Sequence, residues 1–132
     1  MKYQTKLLDI NKLISHEMVC LKRLKEVKAD LLLKGYIKNP VVVDRKNNII
    51  LDGHHRVAAL RQLGASKIPA YLVDYQDERI RVTLRRKEFT FTNIKQAVID
   101  YCLAGKIFPS KTTKHLIKGR PRNVNIKISQ LL

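Results

Sequence analysis

Five consecutive residues, Asp52-Gly53-His54-His55-Arg56, place an acid, a flexible turn, two imidazoles and a guanidinium side by side. The apolar run Ile49-Ile50-Leu51 precedes them, and an amphipathic stretch, Val57 to Leu63, follows and closes on Gly64. That order predicts a strand, a tight turn and a helix whose N-terminus carries the polar groups. The first turn of a helix has unpaired N–H groups and a partial positive charge, so it suits a phosphate. Arg56 adds a planar fork for the same anion, and Gly53 supplies close backbone approach or a positive φ. Asp52 sits where a carboxylate can hold Mg²⁺ beside phosphates and water, or orient a hydroxyl. The chemistry indicated is phosphate handling, with a nucleotide as the ligand. Zinc is disfavoured, because adjacent histidines diverge and no cysteine or third ligand has the right spacing.

Two further clusters carry polar groups. Ser15-His16-Glu17 reads as a helix start, with Ser15 as N-cap and His16 and Glu17 in the first turn, where the dipole alone favours a carboxylate. Thr112-Thr113-Lys114-His115 offers hydroxyls, a cation and an imidazole in one loop, a set suited to a phosphate or a carboxylate. Lys118, Arg120 and Arg122 beyond it read as a solvated or nucleic-acid-facing surface rather than as site residues. Tyr101 and Phe108 read as core.

The elements that must position these clusters describe a small mixed α+β domain spanning residues 1–132. Tyr3 to Ile10 reads as an edge strand. Val19, Leu24, Val27, Leu31 and Leu32 form a helical stripe that Gly35 ends. Pro40 opens the strand Val41-Val42-Val43-Asp44, and the turn Asn47-Asn48 makes residues 41–51 a hairpin. Ile68 to Asp74 is strand-like, and Arg79 to Arg86 alternates apolar and charged residues as a strand wet on one face. Thr92 or Asn93 caps a short helix bearing Ile94, Ala97, Val98 and Tyr101, which Gly105 ends. The segment from Pro109 to Leu132 reads as basic and loop-rich, with an apolar patch at Val124, Ile126 and Ile128.

The formal charge is +16, and it is uneven. Residues 1–78 carry a net +5 and residues 79–132 a net +11, a field that attracts nucleic acid, nucleotides or phosphorylated metabolites. With 45% apolar residues the chain is globular rather than disordered. No apolar run approaches a membrane span, and the polar N-terminus does not read as a signal peptide, so a cytoplasmic protein is expected. Cys20 and Cys102 read as buried thiols, with a disulfide left open.

Asp52 to Arg56 with the helix after it, together with Ile68-Pro69 and Val73-Asp74-Tyr75, resembles the ParB/sulfiredoxin superfamily, in which a small sheet feeds a helix whose N-terminus binds nucleotide phosphates. Within it the chain resembles the free-serine kinases at three places: Ser15-His16-Glu17, the turn Asp52 to Arg56, and Pro109-Ser110-Lys111-Thr112-Thr113-Lys114-His115. The resemblance implies a kinase that converts free L-serine to O-phosphoserine with ATP or ADP and Mg²⁺. It implies Glu17 as catalytic base and Asp52 as a catalytic or Mg²⁺-binding group. Gly53, His54, His55 and Arg56 would hold the donor phosphates, and Thr112, Thr113, Lys114 and His115 the substrate, with segment 106–132 part of the site. The chain departs from the family pattern in several ways. His54 stands where sulfiredoxin has its catalytic cysteine, which argues against sulfinic-acid reduction. The Gly-Glu-Arg-Arg-type box of ParB partition proteins is missing. Known serine kinases are longer before the Lys-Thr-Thr element, so part of a substrate lid is in question. Lys114 replaces an arginine, keeping charge without the bidentate fork.

Two other classes compete with the enzyme. A ParB-like DNA-binding module with nucleotide hydrolysis or nuclease activity is favoured by the basic C-terminal segment, although no base-reading motif is present. A regulator that binds nucleotide without chemistry is the third. Oligomeric state is not legible in the residues.

Overall fold

The computed structural model describes residues 3–132, and its centre is a four-stranded sheet. Strands β1 (Gln4–Asp9), β3 (Val41–Asp44), β4 (Ile50–Asp52) and β5 (Lys67–Val73) lie in the order β1-β5-β3-β4. β3 runs parallel to β5, while β1 and β4 are antiparallel to their neighbours. A parallel pair needs a crossover, supplied here by β4 and helix α2 (His54–Gln62).

The sheet is covered on both faces, and β3 shows why. Val41 and Val43 enter one core with Leu24, Leu31, Val57 and Leu60, under α1 (Leu21–Lys34) and α2. Val42 enters the other with Val73, Tyr75, Phe108 and Val98 of α3 (Ile94–Leu103). Alternate strand residues point to opposite faces, so a strand buried on both sides runs apolar, here Val41 to Val43, with the buried Asp44 at its end. Each fully buried Val or Leu contributes about 1.5–3 kcal/mol. The resulting rigid sheet fixes the end of β4, from which the Asp52–Arg56 turn emerges.

The hairpin over 41–51 and the strand–turn–helix at 50–62 form as the sequence predicts. The Ser15-His16-Glu17 helix start does not. The helix begins at Leu21, and its N-cap, Cys20, makes no side-chain cap bond. Residues 14–18 are instead irregular, with a bend at His16 between two single bridges. Ile14 bridges Ile49 and Glu17 bridges Phe108, both in parallel. The Phe108 N–H donates to the His16 carbonyl and the Met18 N–H to the Phe108 carbonyl, each at 2.8 Å. These distant partners satisfy backbone groups that would otherwise require a helical turn.

The C-terminal region is also more ordered than the expected loop. β6 (Ile80–Leu84) and β7 (Thr113–Ile117) form a two-stranded antiparallel ribbon, so Thr113, Lys114 and His115 lie on a strand. β8 (Ile126–Lys127) pairs with β2 (Tyr36–Ile37), and Leu131 is fully buried. Both cysteines are free thiols, Cys102 buried and Cys20 only half-buried, in contrast to the expected burial of both. No helix among the described residues is long and apolar enough to cross a membrane.

Candidate active site

The head of α2, the irregular 15–18 segment, β7 and the loop after it converge on a cleft of about 700 Å³. Gly53 makes the turn. Its φ is 107°, and a Cβ there would lie 2.5 Å from Val41 Cγ1, so only glycine fits. The N–H groups of His54, His55 and Arg56 have no intrahelical acceptor. The helix has no side-chain cap, and all three residues line the cleft. They present a wall of backbone donors to the cleft, an arrangement that can take an anion.

At the buried end stands Glu17. Its Oε2 accepts from the Thr113 hydroxyl, from the Thr113 N–H at 3.0 Å, and faces His16 Nε2 at 3.2 Å. His16 is fully buried, with Nδ1 2.8 Å from the Ile50 carbonyl and Nε2 2.9 Å from Thr113 Oγ1. Nδ1 must carry a proton to meet a carbonyl, and Thr113 gives its one hydroxyl proton to Glu17. His16 Nε2 therefore faces two acceptors and serves as a donor. Burial pushes the Glu17 carboxyl up, but the His16 and Thr113 donors outweigh it and hold the group down at about 2. It is a carboxylate at neutral pH.

Three other histidines are held neutral. His54 Nε2 accepts from the His16 N–H at 3.2 Å, and His55 Nε2 from the Cys20 N–H at 3.0 Å. The Tyr75 hydroxyl lies 2.8 Å from His115 Nε2; burial raises the phenol and keeps it the donor. Burial, with the nearby His16, lowers His54 and His115 to about 3 each, and burial lowers His55 as well. These imidazoles present neutral walls, and the positive charge of the cleft comes from elsewhere.

It comes from the rim. Arg56 donates to the Asn39 carbonyl at 2.7 Å and reaches Asp52 Oδ2 at 3.4 Å. Arg120 donates to the same Oδ2 at 2.6 Å. Burial raises the Asp52 carboxyl, and the charges of Arg120 and Arg56 more than offset this, holding it below the usual carboxylate range. Both guanidiniums use Oδ2, which leaves Oδ1 without a protein partner among the described residues. Arg23, Lys38, Arg85, Lys111 and Arg122 line the same cleft. No group of three or more His, Cys, Asp or Glu side chains converges as a metal site among the described residues. A single carboxylate oxygen beside an anion site fits Mg²⁺, which takes one or two carboxylates and completes its shell with phosphate and water.

The structure thus brings together Glu17, Asp52, Gly53, His54, His55, Arg56, Thr113, Lys114 and His115. Thr112 is apart from them. It is fully buried, its hydroxyl donates to the Pro109 carbonyl at 2.6 Å, and it shapes the turn before β7. Arg120 and Arg122 both line the cleft; Arg120 is drawn in against Asp52, unlike the solvated surface read from the sequence, while Arg122 stays exposed as read. The signal that marks them is local: Gly119, Asn123 and Asn125 all adopt positive φ. They turn the chain so that the Asn123 N–H meets Asn39 Oδ1 at 2.9 Å, and β8 then docks on β2.

No known family description matches the chain. The chain is 36% identical over 80 residues to an ATP-dependent L-serine kinase of Staphylothermus marinus, a match covering 58% of this chain and 32% of that protein. It is 39% identical over 80 residues to a ParB-like protein of Sulfolobus acidocaldarius, covering 61% of this chain and 40% of that one. The matches thus span only 32–40% of the length of these curated relatives. Among solved structures, a free serine kinase in complex with AMP superposes with a TM-score of 0.88 at 15% identity, covering 100% of this chain and 95% of that one. The fold is that of the free serine kinases, and over part of its length the chain is similar in sequence to an L-serine kinase.

Proposed function

We propose that the protein is a nucleotide-dependent phosphotransferase that converts free L-serine to O-phosphoserine, with ATP or ADP as donor and Mg²⁺ as the accompanying ion. The observation that carries this reading is one cleft holding two different ends. A mostly covered carboxylate, Glu17, stands at one, and a helix N-terminus flanked by Arg56 and Arg120 at the other. The match in sequence to an L-serine kinase supports it.

In this reading the donor's phosphates lie on the N–H groups of His54 to Arg56, with Arg56 and Arg120 as charged clamps. Mg²⁺ would be held by Asp52 Oδ1 and would neutralise charge on the transferring group. Serine enters with its hydroxyl toward Glu17 and takes over as donor to that carboxylate. The hydroxyl oxygen forms the new bond to the terminal phosphorus. The bond from that phosphorus to the nucleotide's bridging oxygen breaks, and the proton passes to Glu17. The products are O-phosphoserine and the nucleotide shortened by one phosphate. Phosphoryl transfer relies mainly on positioning and charge neutralisation, so a weakly basic carboxylate that orients the hydroxyl is sufficient. Neutral His54 and His115 add no positive charge beside Glu17. Thr113 and Lys114 are assigned to the serine carboxylate or the product phosphate, and Thr112 supports them from the turn.

The test is incubation of the protein with Mg²⁺, L-serine and either ATP or ADP, with phosphoserine followed by mass spectrometry. Serine-dependent phosphoserine is expected with one donor or both. Nucleotide hydrolysis without phosphoserine, or no turnover, overturns the reading.

A further inference from the structure

Tyr75 is a buried polar side chain outside the cleft. It lies just past β5, 1% exposed, in the core that holds Val42, Val73, Val98 and Phe108, and the Lys95 ammonium sits 5.6 Å from its ring centre. A phenylalanine would fill the same space with no hydroxyl to bury, and a buried hydroxyl costs stability unless it is bonded. Among the described residues the one partner of this hydroxyl is His115 Nε2, at 2.8 Å. His115 lines the cleft. The direction of the bond fixes a proton. With no second acceptor for the Tyr75 hydroxyl, its proton goes to His115 Nε2. Burial, with His16 nearby, keeps the His115 imidazole neutral, so its one ring proton is on Nδ1. That nitrogen has no partner among the described residues. The only side-chain polar atom among them that is both buried and unpartnered is Ser110 Oγ. His115 Nδ1 is therefore open to the cleft. His54 and His55 repeat the pattern: each Nε2 accepts from a backbone N–H, which can only donate, so each ring proton is again on Nδ1. His16 differs, with donors at both nitrogens.

We propose that Tyr75 is a positioning residue for serine: its hydroxyl holds His115 in the Nδ1–H form, and that N–H donates to the serine carboxylate. This rests on the kinase reading of the cleft. Thr113 and His115 are alternate residues of β7, so His115 shares the strand face whose Thr113 hydroxyl meets Glu17. The ring centres of His115 and of His16, which holds Glu17, are 5.5 Å apart. A serine with its hydroxyl at Glu17 therefore brings its carboxylate, only a few bonds away, to His115. The other tautomer would turn a nitrogen lone pair toward that carboxylate and repel it.

The experiment joins long-range proton–nitrogen NMR of the 4 imidazoles at neutral pH to steady-state kinetics, for Tyr75→Phe, His115→Ala and the double variant. In the unsubstituted protein His115 is expected with its proton on Nδ1, and added L-serine should move that signal. Tyr75→Phe should mix the two tautomers and raise the KM for serine about 10-fold. The KM for nucleotide and kcat should stay within about twofold, whereas a merely structural role would change all three together. In the His115→Ala background, Tyr75→Phe should have no further effect on the KM for serine. A His115 proton on Nε2, a His115 signal that serine does not move, a tautomer unchanged in Tyr75→Phe, or additive losses in the double variant overturns the proposal. Absence of phosphoserine while serine still moves the Nδ1–H signal of His115 overturns the kinase reading and leaves the role of Tyr75 in holding serine supported.

Discussion

The two ends of the cleft solve opposite electrostatic problems. At the buried end one carboxylate, Glu17, receives three donors, His16 among them, and the neighbouring His54 and His115 are neutral. At the rim one carboxylate, Asp52, holds two guanidiniums, and further cations stand along the wall. The first arrangement suits orientation of a hydroxyl and removal of its proton; the second suits binding of several negative charges. Gly53 joins them, since the helix that supplies the phosphate wall also places His54 against His16. The difference teaches that the guanidinium charge suited to several phosphates is gathered at the rim, while Glu17 is held by the His16 and Thr113 donors.

Substitutions can separate the ends. Glu17→Gln removes the proton acceptor and keeps the shape; kcat should fall about 10²–10⁴-fold, as measured by phosphoserine formation. Gly53→Ala strikes the joint between the ends. Its Cβ meets Val41 in a backbone conformation that L residues avoid, so a loss of about 2–4 kcal/mol in stability is expected by denaturant unfolding. Arg120→Met should raise the KM for nucleotide about 10- to 100-fold with a smaller change in kcat, read from steady-state kinetics. Equal falls in kcat and kcat/KM for that variant would move Arg120 to the chemical end of the cleft.

Smaller effects concern pH. Thr113→Val removes a hydroxyl that, after His16, holds Glu17 down, so the acid limb of kcat/KM should move upward from about 2, part of the way toward the ordinary 4.5. A limb that stays in place contradicts the assignment of that limb to Glu17. The buried histidines act on stability. His54 and His115 are lowered to about 3 from 6.5. Between those values the unfolded chain binds more protons than the folded one. Stability is therefore full above about pH 6.5 and is lost as pH falls toward 3. Melting followed by circular dichroism should show Tm dropping steadily below pH 6.5; a flat profile contradicts the neutral state of these rings.

Much of the rim was legible because its signals are local. An apolar strand, a glycine that alone fits its place, and an amphipathic helix stopped by Gly64 all act within a few residues, and the structure forms them there. The buried end was legible in residue type and not in geometry. Ser15-His16-Glu17 has every mark of a helix start, yet its backbone pairs with residues 49 and 108. That competition is decided by tertiary contacts across 35 to 91 positions, which periodicity does not register. Arg120 was hidden for a similar reason. Its approach to Asp52 depends on a strand pair of two residues per side and on positive φ at Asn123 and Asn125. In a basic segment, these signs are weaker than the charge that suggests an exposed surface.

The division of labour is tested most directly by nucleotide binding to two variants measured together. Isothermal titration of ADP and ATP into Glu17→Gln and Arg120→Met gives the dissociation constants without turnover entering the comparison. The account predicts that Glu17→Gln binds within about twofold of the unsubstituted protein while Arg120→Met binds about 10- to 100-fold more weakly. Weak binding by Glu17→Gln together with normal binding by Arg120→Met would contradict it, since the nucleotide would then depend on the buried end and not on the rim.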